Sequence, residues 1–123
     1  MKIVKIFCFL FLFGVFFLTA DPILLTNGGY HPVISRDDSL LLYVEPNAES
    51  DLEIKILTIA TGETRVLDIS LEGDFDLCIS PDKSKIAFDA YSSKDSKIQQ
   101  IFIYDLEVGS YAQISTNGGF QPV

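Results

Sequence analysis

The side chains that could do chemistry in this sequence are few and lie far apart along the chain. Its only histidine is His31, and the carboxylate pairs that could bind a hard cation are Asp37-Asp38 and Asp74-x-Asp76. A zinc site or a catalytic base would need partners around His31, and calcium needs about 6–8 oxygen ligands from a defined loop. Neither pattern occurs. We therefore predict no catalytic, metal-binding or cofactor-binding residue and interpret His31 as a rim or channel-facing polar residue.

Nucleophile motifs and phosphate loops are also missing from the sequence. There is no Gly-x-Ser-x-Gly, and Gly28-Gly29 and Gly118-Gly119 join strand to strand rather than strand to helix. Cys78 lies in an apolar segment, so we interpret it as a small buried hydrophobe. In Ser80-Pro81-Asp82, proline fits a type I turn and the aspartate caps the following backbone, which favours a structural role.

The elements that must position these residues repeat along the chain. Residues 73–88 read as an apolar strand, a Ser-Pro-Asp turn and a second strand; residues 28–43 follow the same plan, and it begins again at 118–123. The copies are 45 residues apart, as seen in their aromatic residues, Tyr30, Phe75 and Phe120. A period in the forties with strand-like content is typical of propeller blades. We expect the recurring aromatic residue to pack between blades.

Each copy predicts four antiparallel strands joined by short polar turns. Clean alternation of apolar and polar residues marks the third strand of each unit, and a glycine turn follows it. The predicted strands are Ile23–Thr26, Tyr30–Ser35, Leu40–Val44, Glu53–Ile59 and Thr64–Ile69, then Phe75–Ser80, Lys85–Ala90, Gln100–Leu106 and Tyr111–Ser115. The sequence therefore predicts an all-β partial propeller: two four-stranded antiparallel blades, near 30–69 and 75–115, plus the start of a third.

In these residues the chain resembles the TolB-like, WD-repeat-like β-propeller repeat family. The matching segments are Ser80-Pro81-Asp82, Lys85-Ile86-Ala87-Phe88, the run from Gln100 to Asp105, and Gln113-Ile114-Ser115-Thr116. Two features depart from the repeat: Lys83-Ser84 stands where Gly-Lys is usual, and Ser35-Arg36-Asp37 lacks the proline. The resemblance covers residues 23–123. It implies a propeller fold and, as in TolB-like proteins, protein–protein interaction at the cell envelope.

The first twenty residues read as a targeting segment. Lys2 and Lys5 precede an apolar run of 13 residues, Ile6 to Leu18, and Ala20 offers a small residue before Asp21-Pro22. This is the layout of a signal peptide, and the run is shorter than the roughly 20 residues of a membrane span. We predict a signal peptide at 1–20 and a propeller domain at 21–123, located in the periplasm or outside the cell. Membrane contact is expected only if the leader stays attached.

Charge narrows the range of partners. Without the leader the chain has 7 basic and 17 acidic side chains, and such a surface repels nucleic acid. We expect an exported, non-enzymatic module that binds another envelope protein or a ligand. The alternative is the N-terminal part of the propeller of a prolyl-oligopeptidase-type serine peptidase. Propellers close with about 4–8 blades, so we expect either a longer chain or self-association to complete the ring.

Overall fold

The computed structural model describes residues 24–26 and 28–123, and these residues form an all-β structure. Eight strands follow one another: β1 (Tyr30–Ile34), β2 (Leu40–Pro46), β3 (Leu52–Thr58), β4 (Thr64–Val66), β5 (Leu77–Ile79), β6 (Lys85–Tyr91), β7 (Gln99–Asp105) and β8 (Ser110–Gln113). They build a first sheet, β1-β2-β3-β4, and a second sheet, β5-β6-β7-β8, each with neighbouring strands antiparallel. The predicted fold class is confirmed.

The two central strands of each sheet carry the longest ladders. β2 pairs with β3 from Leu40↔Thr58 to Pro46↔Leu52, and β6 pairs with β7 from Lys85↔Asp105 to Tyr91↔Gln99. The outer strands are shorter, and β4 pairs with β3 at only three positions. The ladder between β1 and β2 is irregular around Pro32, which has no N–H to donate.

One hydrophobic core lies between the two sheets. Alternation of side chains along a strand sends one set of residues from each sheet into it. The first sheet contributes the fully buried residues Leu42, Val44 and Ile54 to this core. The second sheet and the segment before it contribute Phe75, Ile86, Phe88 and Ala90. At the 45-residue shift of the repeat, Leu42 and Val44 correspond to Ala87 and Asp89. These two residues alternate with the core residues of β6, so they lie on the face of the second sheet that is turned away from the core. The two sheets therefore bury non-equivalent faces against each other and stack front to back, as propeller blades do.

The Ser-Pro-Asp turn has the structural role predicted for it. The Asp82 carboxylate accepts hydrogen bonds from Ser80 Oγ at 2.7 Å, Ser84 N at 3.0 Å and Ser84 Oγ at 2.8 Å. Lys83, at the position where the resembling repeats have glycine, takes the left-handed conformation with φ of 61°. Asp38 takes the same conformation in the corresponding turn of the first sheet.

Several strand boundaries differ from those predicted. Residues 24–26 form no strand, and Ile23 lies outside the described residues, as do the predicted signal peptide at 1–20 and Cys8. β4 stops at Val66 because the chain turns away at Leu67, where Ile69 N donates to Leu67 O at 3.0 Å. β5 begins only at Leu77. Among the described residues, no helix is long and apolar enough to cross a membrane.

The recurring aromatic residue packs between the sheets in only one copy. Phe75 is 1% exposed, whereas Tyr30 is 37% exposed and Phe120 is 68% exposed, so the predicted packing between sheets is seen for Phe75 alone among the described residues. The backbone explains the difference. The left-handed residue is Phe75 itself in the second copy, but in the other copies it is the following residue, His31 or Gln121. That shift of one residue turns only Phe75 into the core.

The third copy begins as a segment laid against the second sheet. Gly119 N donates to Gln99 O at 2.9 Å, and Gln121 N donates to the buried Asp89 carboxylate at 3.1 Å. A Cβ on Gly119 would come within 2.7 Å of the Ile101 side chain, so this close approach requires glycine. Residues 118–123 therefore lie against the second sheet, although they form no strand of their own.

Candidate binding site at the seam between the two sheets

The only histidine pairs with one of the carboxylates considered in the sequence. His31 Nδ1 lies 3.0 Å from Asp76 Oδ1, and both side chains are about one-third exposed. They sit near the starts of β1 and β5, where the first strands of the two sheets approach each other. Asp76 N also donates to Asp89 Oδ1 at 2.9 Å. This pair links the two sheets, and Asp76 lies 45 residues after His31 in the chain.

Asp37 serves in a turn and in a contact between the sheets. Its carboxylate accepts hydrogen bonds from Ser35, Ser39 and Lys83, and the bond from the Lys83 ammonium lowers its pKa most. Lys83 also donates to Ser39 Oγ at 3.0 Å. The lysine that replaces the usual glycine therefore ties the β5–β6 turn to the β1–β2 turn.

The remaining residues singled out in the sequence do not converge on a reactive centre. Cys78 is only partly buried, so its interpretation as a buried hydrophobe holds only in part. Across residues 24–26 and 28–123, no three side chains of His, Cys, Asp or Glu gather closely enough to hold a metal ion.

A concave groove lies where the two sheets meet. It has a volume of about 660 Å³ and opens between the β2–β3 loop, the β4–β5 link and the start of the β6–β7 loop. We call it the seam groove. Its apolar lining consists of Leu52, Ile69, Leu71, Phe75 and Tyr91. The groove exists because the link between the sheets leaves β4 early and crosses the seam before β5 begins.

A second space of about 320 Å³ extends the seam groove along the free edge of β3. Leu52, Glu53, Ile69 and Phe75 line both spaces. β4 covers this edge only as far as Lys55, and one further bond, from Leu67 N to Ile54 O at 2.9 Å, ends the pairing. An extended strand edge is thus open at the side of the groove.

In the second sheet the same edge is closed by side chains. Ile101 corresponds to Ile54 at a shift of 47 residues, and its N–H donates to Ser115 Oγ at 2.8 Å. That hydroxyl in turn donates to Gln100 Oε1 at 2.7 Å. We call this arrangement the Ser115 bridge. The first sheet has no counterpart of it: Glu53 and Asp68 occupy the positions of Gln100 and Ser115, and two ionised carboxylates can only accept hydrogen bonds.

The seam groove is predominantly acidic. Its two spaces are lined by Asp51, Glu53, Asp68 and Glu72, against one basic residue, Lys94. Lys94 is 87% exposed and reaches Glu72 only at 3.8 Å, so it neutralises little of this charge. Glu53 accepts one bond, from Asn47 Nδ2 at 3.2 Å. The lining contains serine hydroxyls but no histidine. The arrangement suits binding of a chain with apolar and cationic side chains.

Sequence reasoning singled out His31 but missed the seam groove. The groove depends on where β4 ends and on how the link crosses the seam, and neither follows from a repeat period. One signal was present in the sequence. At the shift of 47 residues that aligns the units, the neutral pair Gln100 and Ser115 falls on Glu53 and Asp68.

Two stacked four-stranded antiparallel meanders, with the beginning of a third unit laid on the second, define a partial β-propeller. No protein-family model matches the sequence, and no curated protein matches it either. Among solved structures, the chain is similar to TolB from Acinetobacter baumannii, with a TM-score of 0.60 and 22% sequence identity. The match covers 73% of this chain and 22% of the TolB chain, so it spans about a fifth of that protein. This likeness supports a TolB-like propeller fold.

Proposed function

We propose that the chain is an exported, non-enzymatic propeller module that binds another protein at the cell envelope. The observation that carries this proposal is the seam groove, which both sheets build from loops and a strand edge. Its lining combines apolar side chains with acidic ones, as in a binding surface. The TolB-like fold and the leader-like residues 1–20 support the envelope setting.

Site-specific photo-crosslinking in living cells tests the binding role. A photoreactive residue replaces Ser92, which is exposed and lines the groove, or Val108, which is exposed in the β7–β8 turn outside it. We expect one discrete adduct with a protein partner from position 92 and none from position 108. Equal adducts from both positions, or none from either, would contradict a partner site at the seam.

Export is tested separately by the mass of the protein recovered from cell fractions. The proposal expects a chain that begins near Asp21 in the periplasmic or extracellular fraction, because Ala20 precedes that residue at the end of the leader. A chain that retains Met1 in the membrane fraction would instead indicate an anchored module. A full-length chain in the cytoplasm would contradict the envelope role.

A further inference from the structure

The open edge of β3 lacks a hydrogen-bonding partner that the equivalent edge of the second sheet possesses. Ile54 O faces this edge, since it accepts the bond from Leu67 N. Along a strand, backbone groups two residues apart point the same way, so the polar groups of Leu52 face this edge too. Exposed strand edges of this kind are templates for pairing with another extended chain. The edge at 52–54 therefore offers main-chain pairing inside the seam groove.

The residues at this edge also specify the charge of an occupant. Glu53 and Asp68 stand where the second sheet has a hydrogen-bonding Gln100–Ser115 pair, and both are acceptors only. Neither carboxylate can supply the hydroxyl or amide donor that the second sheet has at these positions. A lysine or arginine side chain supplies the missing donors and the compensating charge. The nearest basic residue in the lining, Lys94, is directed to Glu72 rather than to this pair.

We propose that the seam groove binds an extended, basic segment of a partner protein by adding it as a strand to the β3 edge at Leu52–Ile54. A cationic side chain of the segment lies at Glu53 and Asp68, and its alternate apolar side chains face Ile69 and Phe75 on the groove floor. Main-chain bonds give affinity, and the acidic pair selects basic sequences. This inference rests on the proposed binding function and names the chemistry of its partner.

The probe is a fluorescein-labelled hexapeptide of alternating lysine and valine, titrated with the full chain by fluorescence anisotropy. We expect saturable binding in the micromolar range, weakened by salt because the pairing is partly ionic. The alternating glutamate–valine peptide should not bind. Two further lysine–valine peptides, one methylated on the odd-numbered and one on the even-numbered backbone nitrogens, distinguish strand addition from charge attraction. Only one of these two sets of N–H groups faces the β3 edge, so the peptide methylated on that set should bind at least about tenfold more weakly than the other.

The double variant Glu53→Gln with Asp68→Ser installs the closing pair of the second sheet on the first. The introduced hydroxyl should accept the Ile54 N–H, and we expect at least about a tenfold loss of peptide affinity. The matched control Glu63→Gln with Glu107→Ser removes two exposed acids in turns outside the groove and should bind as the unaltered chain does. Amide exchange supplies a second readout: the peptide should protect the Ile54 amide in the unaltered chain and not in the first variant.

Absence of saturable binding up to about 1 mM of the full chain would overturn the proposal. So would equal binding by both methylated peptides, or full affinity in the Glu53→Gln, Asp68→Ser variant. If the chain instead pairs with a second copy of itself through this edge, light scattering should show a dimer that the same variant dissociates, and that result also overturns it. A position-92 adduct in cells without peptide binding would refute strand addition while leaving the proposed binding function intact.

Discussion

The first and second sheets share a strand order and a repeat, but their ends are closed differently. The second sheet places Phe88 at the centre of an aromatic cluster, and the Ser115 bridge completes its β7 edge. The first sheet contributes aliphatic residues to the core and leaves the β3 edge open beside an acidic pair. The shared plan follows from the alternation of side chains, whereas the difference follows from a few positions that the repeat does not conserve between units.

This contrast indicates where binding can occur without a loss of fold stability. A strand edge that is closed by its own side chains adds to stability but offers nothing to a partner. An edge left open at the seam costs little, because water can reach its polar groups in the groove. The first sheet is therefore the half with an edge available to a partner, and the second sheet is the half whose equivalent edge is closed.

Comparing the two sheets, we expect the largest change in the free energy of unfolding from substitutions in the core. Phe88→Ala should lower the free energy of unfolding by about 4 kcal/mol, and Leu42→Ala by about 3 kcal/mol, because each leaves a cavity and the phenylalanine removes more buried surface. Phe88 is fully buried and stacks on Phe102 at 5.5 Å between ring centroids. Urea denaturation of the full chain measures both. A larger loss from Leu42→Ala would place the centre of stability in the first sheet instead.

The second prediction converts the closed edge into the open one. Gln100→Glu with Ser115→Asp should lower the free energy of unfolding by about 2 kcal/mol, because the hydroxyl that donates to Gln100 Oε1 is lost and two carboxylates are brought together in its place. The reverse exchange in the first sheet, Glu53→Gln with Asp68→Ser, should raise it by about 1 kcal/mol.

Hydrogen exchange checks the same pair of variants locally. The Ile101 amide should exchange faster after the change in the second sheet, and the Ile54 amide should exchange more slowly after the change in the first. If both double variants shift stability in the same direction, the two edges do not differ in the way that their side chains indicate.

The strands were predictable from sequence because alternation and turn residues act locally. The pattern at 53–59 and the turn at Thr61-Gly62-Glu63 predict β3 to within a residue at each end and the hairpin that follows it. The packing of Tyr30 was not predictable in this way, because a one-residue shift in the left-handed position separates it from Phe75. The seam groove was also missed, since it depends on contacts between segments distant in the chain.

The third prediction compares the two turns that share a left-handed residue. Lys83→Gly should relieve about 1 kcal/mol of backbone strain but lose the exposed ion pair with Asp37, which offsets part of that gain at low salt. Asp38→Gly relieves strain at the matching position without removing that ion pair, so it should stabilise by about 0.5 kcal/mol. At about 1 M salt, where the ion pair is screened, Lys83→Gly should become more stabilising. A destabilised Lys83→Gly variant at high salt would show that the lysine contributes more than its charge.

The smallest effect concerns acid, and it separates the same turns by pH. Hydrogen bonds from Ser80 and then Ser84 lower the pKa of Asp82 from its ordinary 3.8 to about 2. Because the folded pKa lies below the unfolded one, the stabilisation is complete above the ordinary value and is lost as the pH falls from 3.8 towards 2.

Asp82→Asn should therefore make the acid-induced loss of stability less steep across this interval, as followed by urea midpoints at fixed pH. Asp37→Asn should act in the same direction and also lose its salt-sensitive bond to Lys83, whereas the Asp82→Asn effect should persist in salt, since neutral serines supply its bonds. An equal salt response in both variants would mean that charge, rather than the local hydroxyl contacts, holds the Asp82 turn.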